Sequence, residues 1–376
     1  MLYATHAEIS LRALAANARA LRERAAGRKV LAAVKANAYG HGAVNVAHTL
    51  ERGHLVDWFG VATVPEGIEL RDAGISLPIL KLSHSFPEEL EEQLASGITP
   101  TVVDSASAAL VARVAGDMGR VKVHLAVDTG MGRIGCAPDD ALTVARRIDE
   151  LGLVLEGVFT HLPISDTPEG HDFTVGQLRR FNDTVAAIQA DRATRDLPPV
   201  PLIHGAASAA LLGHDLTGLT MVRPGVAMYG MYPDPATPKT VDLEPVMSLY
   251  SRVSMIKHVP AGTTIGYGRT WRAPTNRWIA TVPIGYGDGF ARLNSNTGRM
   301  LINGRSFPIA GRVCMDQTML DLGERDDHGV RPGNKVTVLG ADGDQRITAD
   351  ELAERARTIN YEVTTSLGSR VLKMPY

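Results

Sequence analysis

The sequence predicts an α/β protein: an N-terminal (β/α)8 barrel of the TIM type, followed by a mostly β C-terminal domain. Three observations predict it. Eight short β-rich apolar runs alternate with longer Ala/Leu/Arg/Glu stretches between about Lys29 and Gly225. A Pro-rich stretch, Met231-Tyr-Pro-Asp-Pro-Ala-Thr-Pro, then reads as a linker. Beyond it the runs become β-branched and are punctuated by Gly, Asn and Asp. Eight buried strands alternating with helices suit a closed barrel, with a doubly wound open sheet as the alternative.

Each element has a local reason. The runs Val30–Val34, Trp58–Ala62, Pro78–Leu82, Thr99–Val103, Val121–Val127, Val154–Phe159, Val200–Ile203 and Leu219–Val222 are short and apolar, as buried strands are. Ala13–Ala25 precedes the first, and Leu11, Leu14 and Leu21 fall on one helical face. Asp104-Ser-Ala-Ser opens a helix with capping residues. Pro138–Leu151 and Phe173–Arg192 read as solvated outer helices. In the second part Tyr250–Val259, Trp278–Pro283, Arg299–Ile302, Phe307–Val313, Met319–Leu322 and Lys335–Leu339 read as strands, and one helix falls near Thr348–Thr358. Asn303-Gly304 and Asp342-Gly343 are hairpin signals.

Composition excludes several classes. With 39 basic against 41 acidic residues the net charge is −2, so nothing points to nucleic acid or an anionic membrane. Two cysteines make no disulfide framework, and no Cys/His spacing resembles a zinc site. No apolar run approaches the ~18 residues of a membrane span, and the start lacks the features of a signal peptide. The expectation is a cytoplasmic protein with a small-molecule partner.

A barrel works at the C-terminal ends of its strands. Lys35 closes the first, Asp128 follows the fifth, His161 ends the sixth, His204 the seventh and Arg223 the eighth. Lys35 reads either as a snorkelling surface residue or as a desolvated amine suited to a Schiff base. The two histidines read as strand-end structural residues or as site residues, and no carboxylate or Cys completes a metal set with them. Gly130-x-Gly132-x-x-Gly135 matches a dinucleotide fingerprint, but the acid expected after the next strand has no clear counterpart. Tyrosines among glycines, in Ile265-Gly-Tyr-Gly268 and Ile284-Gly-Tyr-Gly-Asp-Gly289, read as turn packing or as exposed phenols.

In order along the chain, the motifs resemble those of the alanine racemase family. They are Ala33-Val-Lys-Ala-Asn-Ala-Tyr-Gly-His-Gly, Val127-Asp-Thr-Gly-Met-Gly-Arg-Ile-Gly, Thr160-His161, His204 with Ser208, Val222-Arg-Pro-Gly, Ile265-Gly-Tyr-Gly, Gly285-Tyr-Gly-Asp-Gly, Gly311-Arg-Val-Cys-Met-Asp-Gln317 and Ile359-Asn-Tyr-Glu-Val363. The resemblance spans nearly the whole chain. It implies a pyridoxal 5'-phosphate barrel over 10–232 and a β domain over 240–376. It also implies that residues 1–9 join the β domain, and that the enzyme is a head-to-tail homodimer. On the same footing, Lys35 is the lysine that holds the cofactor and one acid/base; Tyr267, from the partner subunit, is the other. Arg223 faces the pyridine nitrogen, His204 supports it, and His161 stacks near the ring. Tyr39, Tyr361, Ser208, Gly225 and Val226 hold the phosphate. Arg133 sits beside the cofactor and the substrate carboxylate, with Met315, Asp316 and Tyr286 at the substrate pocket. The implied reaction is alanine racemisation, supplying D-alanine for peptidoglycan.

Two departures stand out. Many relatives carry a carbamylated lysine where this chain has Ala126, so something else orients Arg133 here. Ala207 replaces an Asn before Ser208. The other readings are racemisation of another small amino acid such as serine, a non-catalytic cofactor carrier, and a decarboxylase.

Overall fold

The computed structural model describes residues 3–116, 118–326 and 329–376. The chain divides into two compact units: Leu14–Ala38 with Ala43–Glu244, and Met1–Ala13 with Tyr39–Gly42 and Pro245–Tyr376.

The first unit is the barrel. All its strands pair in parallel, in the order 98–99, 79–81, 58–61, 29–33, 221–222, 202–204, 154–159, 122–126, 101–102. The two ends of that order, Ile98–Thr99 and Thr101–Val102, are consecutive in the chain and parted only by Pro100. They are one strand, broken where proline has no N–H to give. Eight strands therefore close on themselves, and each coincides with one of the eight predicted runs. Side chains fill the interior: Leu31, Trp58, Leu80, Leu202 and Met221 form a buried cluster. Outside, the helix Leu11–Arg24 buries Leu14, Ala18 and Leu21 completely. Each such leucine contributes about 1.5–3 kcal/mol of hydrophobic stabilisation. Asp104 caps Ser105–Ala115 through the Ser107 amide at 2.7 Å. The stretch expected as one helix from Pro138 is a 3-10 turn, Pro138–Asp140, leading into Ala141–Glu150. The Pro-rich stretch is docked on this unit: Thr237 donates to the Asp166 carbonyl at 3.2 Å.

The second unit is mostly β. Its larger sheet seats His6–Ile9 between Met247–Arg252, antiparallel, and Leu372–Pro375, parallel. A three-stranded sheet joins Met255–Val259, Arg277–Val282 and Thr318–Gly323. The run expected as one strand from Tyr250 is thus two strands in two sheets, parted at Val253 and Ser254. The run from Phe307 to Val313 is shorter than expected, as Arg305–Pro308. Asn303 (φ 52°) and Gly304 (φ 73°) turn the hairpin that precedes it. Both positive angles match the primed turn that Asn-Gly favours. Thr348 caps Ala349–Ala356, and a second, unforeseen helix follows over Asn360–Thr365.

Candidate active site

On the barrel the site residues gather at the strand ends. Lys35 opens a left-handed turn. Ala36, Asn37, Ala38 and Tyr39 have φ of 52°, 52°, 53° and 53°, and the Ala38 amide donates to the Val34 carbonyl at 2.8 Å. L-residues disfavour this conformation by about 1–2 kcal/mol each. Specific contacts hold it. Glu66 Oε1 accepts from the Ala36 amide at 2.7 Å, and Asn37 Oδ1 accepts from the Ala43 amide at 2.7 Å. Burial, then the Arg133 guanidinium, lower the Lys35 pKa; Glu66 opposes them and Arg223 adds to them. The amine is thereby biased towards its uncharged, nucleophilic form.

Arg223 is 5% exposed. Its Nη1 lies 2.7 Å from His204 Nδ1, and Nη2 donates to the Thr160 carbonyl at 2.8 Å. His161 Nδ1 is 3.3 Å from Nη2. Burial, then Arg133, lower the guanidinium pKa to about 9, so it stays protonated at neutral pH. Burial, then Arg223, hold His161 at about 3 and His204 well below the usual range. Both imidazoles are neutral. A guanidinium has no lone pair, so each of them accepts from it.

Ser208 Oγ accepts from the Gly225 and Ala227 amides at 2.9 and 3.2 Å, which ties together the helix Ser208–Gly213 and the turn Val226–Tyr229. The Gly225 amide is thus turned onto Ser208, while Val226 begins the turn. Arg133 is exposed on the loop after the fifth strand. Asp128 organises that loop: its Oδ1 accepts from the Gly130, Met131 and Gly132 amides at 2.9, 2.9 and 3.1 Å. Burial alone would raise the Asp128 pKa, but these bonds lower it. The loop returns to pair Cys136 with Val127 instead of leading straight into a helix. The glycine pattern there is therefore no dinucleotide turn.

The second unit holds the remaining candidates. Tyr39 and Tyr361 have ring centroids 6.0 Å apart. Burial pushes the Tyr39 phenol up to about 12. A Cβ on Gly40 would lie 2.0 Å from the Thr364 carbonyl oxygen, in the helix that carries Tyr361. Tyr267 is 69% exposed on a tight turn between Thr264–Ile265 and Trp271–Arg272. Gly266 (φ 73°), Gly268 (φ 70°) and Arg269 (φ 52°) supply the turn's positive angles. Tyr286, Met315 and Asp316 are exposed on adjoining loops, joined by Tyr286 N to Cys314 O at 3.0 Å and Gly287 N to Met315 O at 2.9 Å. Arg370 bridges these loops, 2.7 Å from Asp316 and 3.3 Å from the buried Asp288.

Sequence reasoning missed Arg370, Glu66 and the two inward residues His124 and Glu156. For His124 a signal existed: it is the one polar residue inside the apolar run Val121–Val127, apart from the terminal-side Lys122.

Comparison with known proteins bears on the whole chain. Residues 9–233 match the family model of the alanine racemase N-terminal domain, and 246–374 that of its C-terminal domain. The alanine racemase of Cutibacterium acnes is 48% identical over 98% of this chain and 96% of its own. That of Halothermothrix orenii is 39% identical over 98% and 95%. Among solved structures, alanine racemase from a D-cycloserine-producing Streptomyces lavendulae superposes with a TM-score of 0.90 at 34% identity, covering 100% of this chain and 98% of that one. Similarity of this extent to alanine racemases makes the chain an enzyme, of the isomerase class. The chain belongs to the alanine racemase family.

Proposed function

We propose that this chain interconverts L-alanine and D-alanine with pyridoxal 5'-phosphate, as a cytoplasmic homodimer that supplies D-alanine for peptidoglycan. One observation carries the reading. At the barrel mouth a lysine amine biased to neutrality lies within electrostatic reach of a buried guanidinium whose Nε has no partner among the described residues. An amine for an aldehyde and a donor for a ring nitrogen are what this cofactor requires. When bound, it supplies an electron sink that acidifies the substrate Cα–H.

The chain's residues do the rest. Lys35 holds the cofactor and, once released, moves a proton at Nζ on one face of the substrate. Tyr267 of the partner subunit moves a proton at its phenol oxygen on the other. Inversion needs one base per face, so an amine and a phenol on opposite sides suffice. Arg223 donates to the pyridine nitrogen and keeps it unprotonated, which tempers the electron sink. His204 orients Arg223, and His161 lies beside the ring. Tyr39, Tyr361, Ser208, Gly225 and Val226 hold the phosphate. Arg133 binds the substrate carboxylate. Met315, Asp316 and Tyr286 limit the pocket to a small side chain.

The test is L-alanine with the purified holoenzyme in D2O, followed by NMR and chiral chromatography. D-alanine carrying deuterium at Cα is the expected product. Cofactor binding with neither exchange nor D-alanine would overturn the reading. Exchange without inversion would overturn the second base.

A further inference from the structure

Arg223 is a buried cation with no carboxylate among its described partners; its described hydrogen-bond partners are imidazole and carbonyl groups. Its closest partner, His204, is the first step of a longer chain. His204 Nε2 lies 2.9 Å from His124 Nδ1. His124 Nε2 lies 3.8 Å from Glu156 Oε2, and neither atom has a hydrogen-bond partner among the described residues. Glu156 Oε1 accepts from Lys122 at 2.6 Å. The two histidines are completely buried.

The direction of the two hydrogen bonds, Arg223 to His204 and His204 to His124, follows from chemistry, and the 3.8 Å contact of His124 with Glu156 is electrostatic. Guanidinium only donates, so His204 Nδ1 carries the lone pair. A neutral His204 then bears its proton on Nε2 and donates to His124 Nδ1. His124 must in turn bear its proton on Nε2, where it faces the carboxylate. The reverse order would set an N–H of His204 against an N–H of Arg223.

The barrel is built around this chain. The fifth and sixth strands pair Val123 with Leu155 and His124 with Gly157, so Glu156 is the extra residue of a β-bulge. Bulges re-aim side chains beside functional sites. A Cβ on Gly157 would lie 2.5 Å from His124 Nδ1, the atom that accepts from His204. Phe159 stacks on His204 at 5.1 Å and 15°, and its ring lies 5.4 Å beneath the Arg223 guanidinium. Trp58 packs against His124 at 5.2 Å.

We propose that His124 and Glu156 are positioning residues for racemisation: a one-way chain from Arg223 through His204 and His124 to Glu156 fixes the guanidinium at the barrel mouth. It brings an anionic partner to that guanidinium through two neutral imidazoles. The proposal rests on the reading of Arg223 as the partner of the pyridine nitrogen.

The test uses histidine-15N-labelled holoenzyme and Glu156→Gln. Lys122 holds the side-chain oxygen nearest it, so the new amide turns its NH2 towards His124 and opposes one donor with another. In the unsubstituted protein, two-bond 15N–1H spectra show His204 and His124 as Nε2–H tautomers. In Glu156→Gln the His124 and His204 signals change, the visible band of the bound cofactor shifts, and kcat falls roughly 10-fold, as when the outer partner of a site residue is removed. KM for alanine stays within about twofold, since the ground-state contacts are untouched. Adding Lys122→Met frees the amide to rotate, and restores tautomers, band and kcat together. A His204 proton on Nδ1, unchanged tautomers in Glu156→Gln, or no recovery with Lys122→Met would each overturn the chain. Arg223→Lys separates the two readings: an unchanged cofactor band in that variant would overturn the placement of Arg223, whatever the tautomers show.

Discussion

At the scale of single residues, the two proposed bases stand in opposite environments. Lys35 is half-buried among cations, whereas Tyr267 stands out on its turn. If the phenol is one of two bases, Tyr267→Phe lowers racemisation by on the order of 10²–10⁴-fold, equally in both directions because the enantiomers have equal free energy. The asymmetry is read by Cα–H exchange in D2O: the enantiomer whose proton Lys35 removes still exchanges, and equal loss of exchange from both would count against the assignment. The histidines give a pH signature. His161 sits at about 3 in the fold, and an unfolded histidine near ~6.5. The unfolded chain therefore takes the proton first. The stability His161 contributes is whole above ~6.5 and is lost as pH falls towards its folded value. Thermal midpoints should fall from pH 7 to pH 4, and less steeply in His161→Gln. Most of these residues were legible in the sequence because each ends an apolar run. His124 showed only as a polar residue inside an apolar run, and Glu156 not at all, because its place is set by a bulge that only strand pairing reveals.

At the scale of elements, the barrel strands could be read one by one. A fully buried parallel strand is a short apolar run, and that signature is local. The left-handed turn after Lys35 could not. Alanine has no preference for positive φ, and the partners that stabilise the turn are remote: Glu66 lies 30 residues on. Gly40→Ala would force a Cβ onto the Thr364 carbonyl at positive φ. The expected loss is at least about 1–3 kcal/mol of stability, with weaker cofactor retention, read by denaturant melts of apo and holo forms. The run from Tyr250 was read as one strand because β-branched character continues across it. The chain leaves one sheet for another at Val253 and Ser254, and no propensity encodes that.

At the scale of the whole molecule, the shared-site reading makes a numerical claim. Lys35→Ala and Tyr267→Phe subunits, each inactive alone, should regain roughly a quarter of full activity after exchange. Half of the dimers are then mixed, and each has one intact site of two. Verified mixed dimers without activity would argue for sites built within one subunit. The first unit is uninterrupted from Ala43 to Glu244, but the second draws on both ends of the chain. His6–Ile9 lies between strands that begin at Met247 and Leu372. On the ribosome, then, His6–Ile9 must wait for Leu372–Pro375. At about 5–20 residues per second that wait is roughly 20–70 s. The barrel's strands all emerge long before it ends. A nascent chain released early would carry a finished barrel and an orphaned strand at its leading end, seeking an edge to pair with.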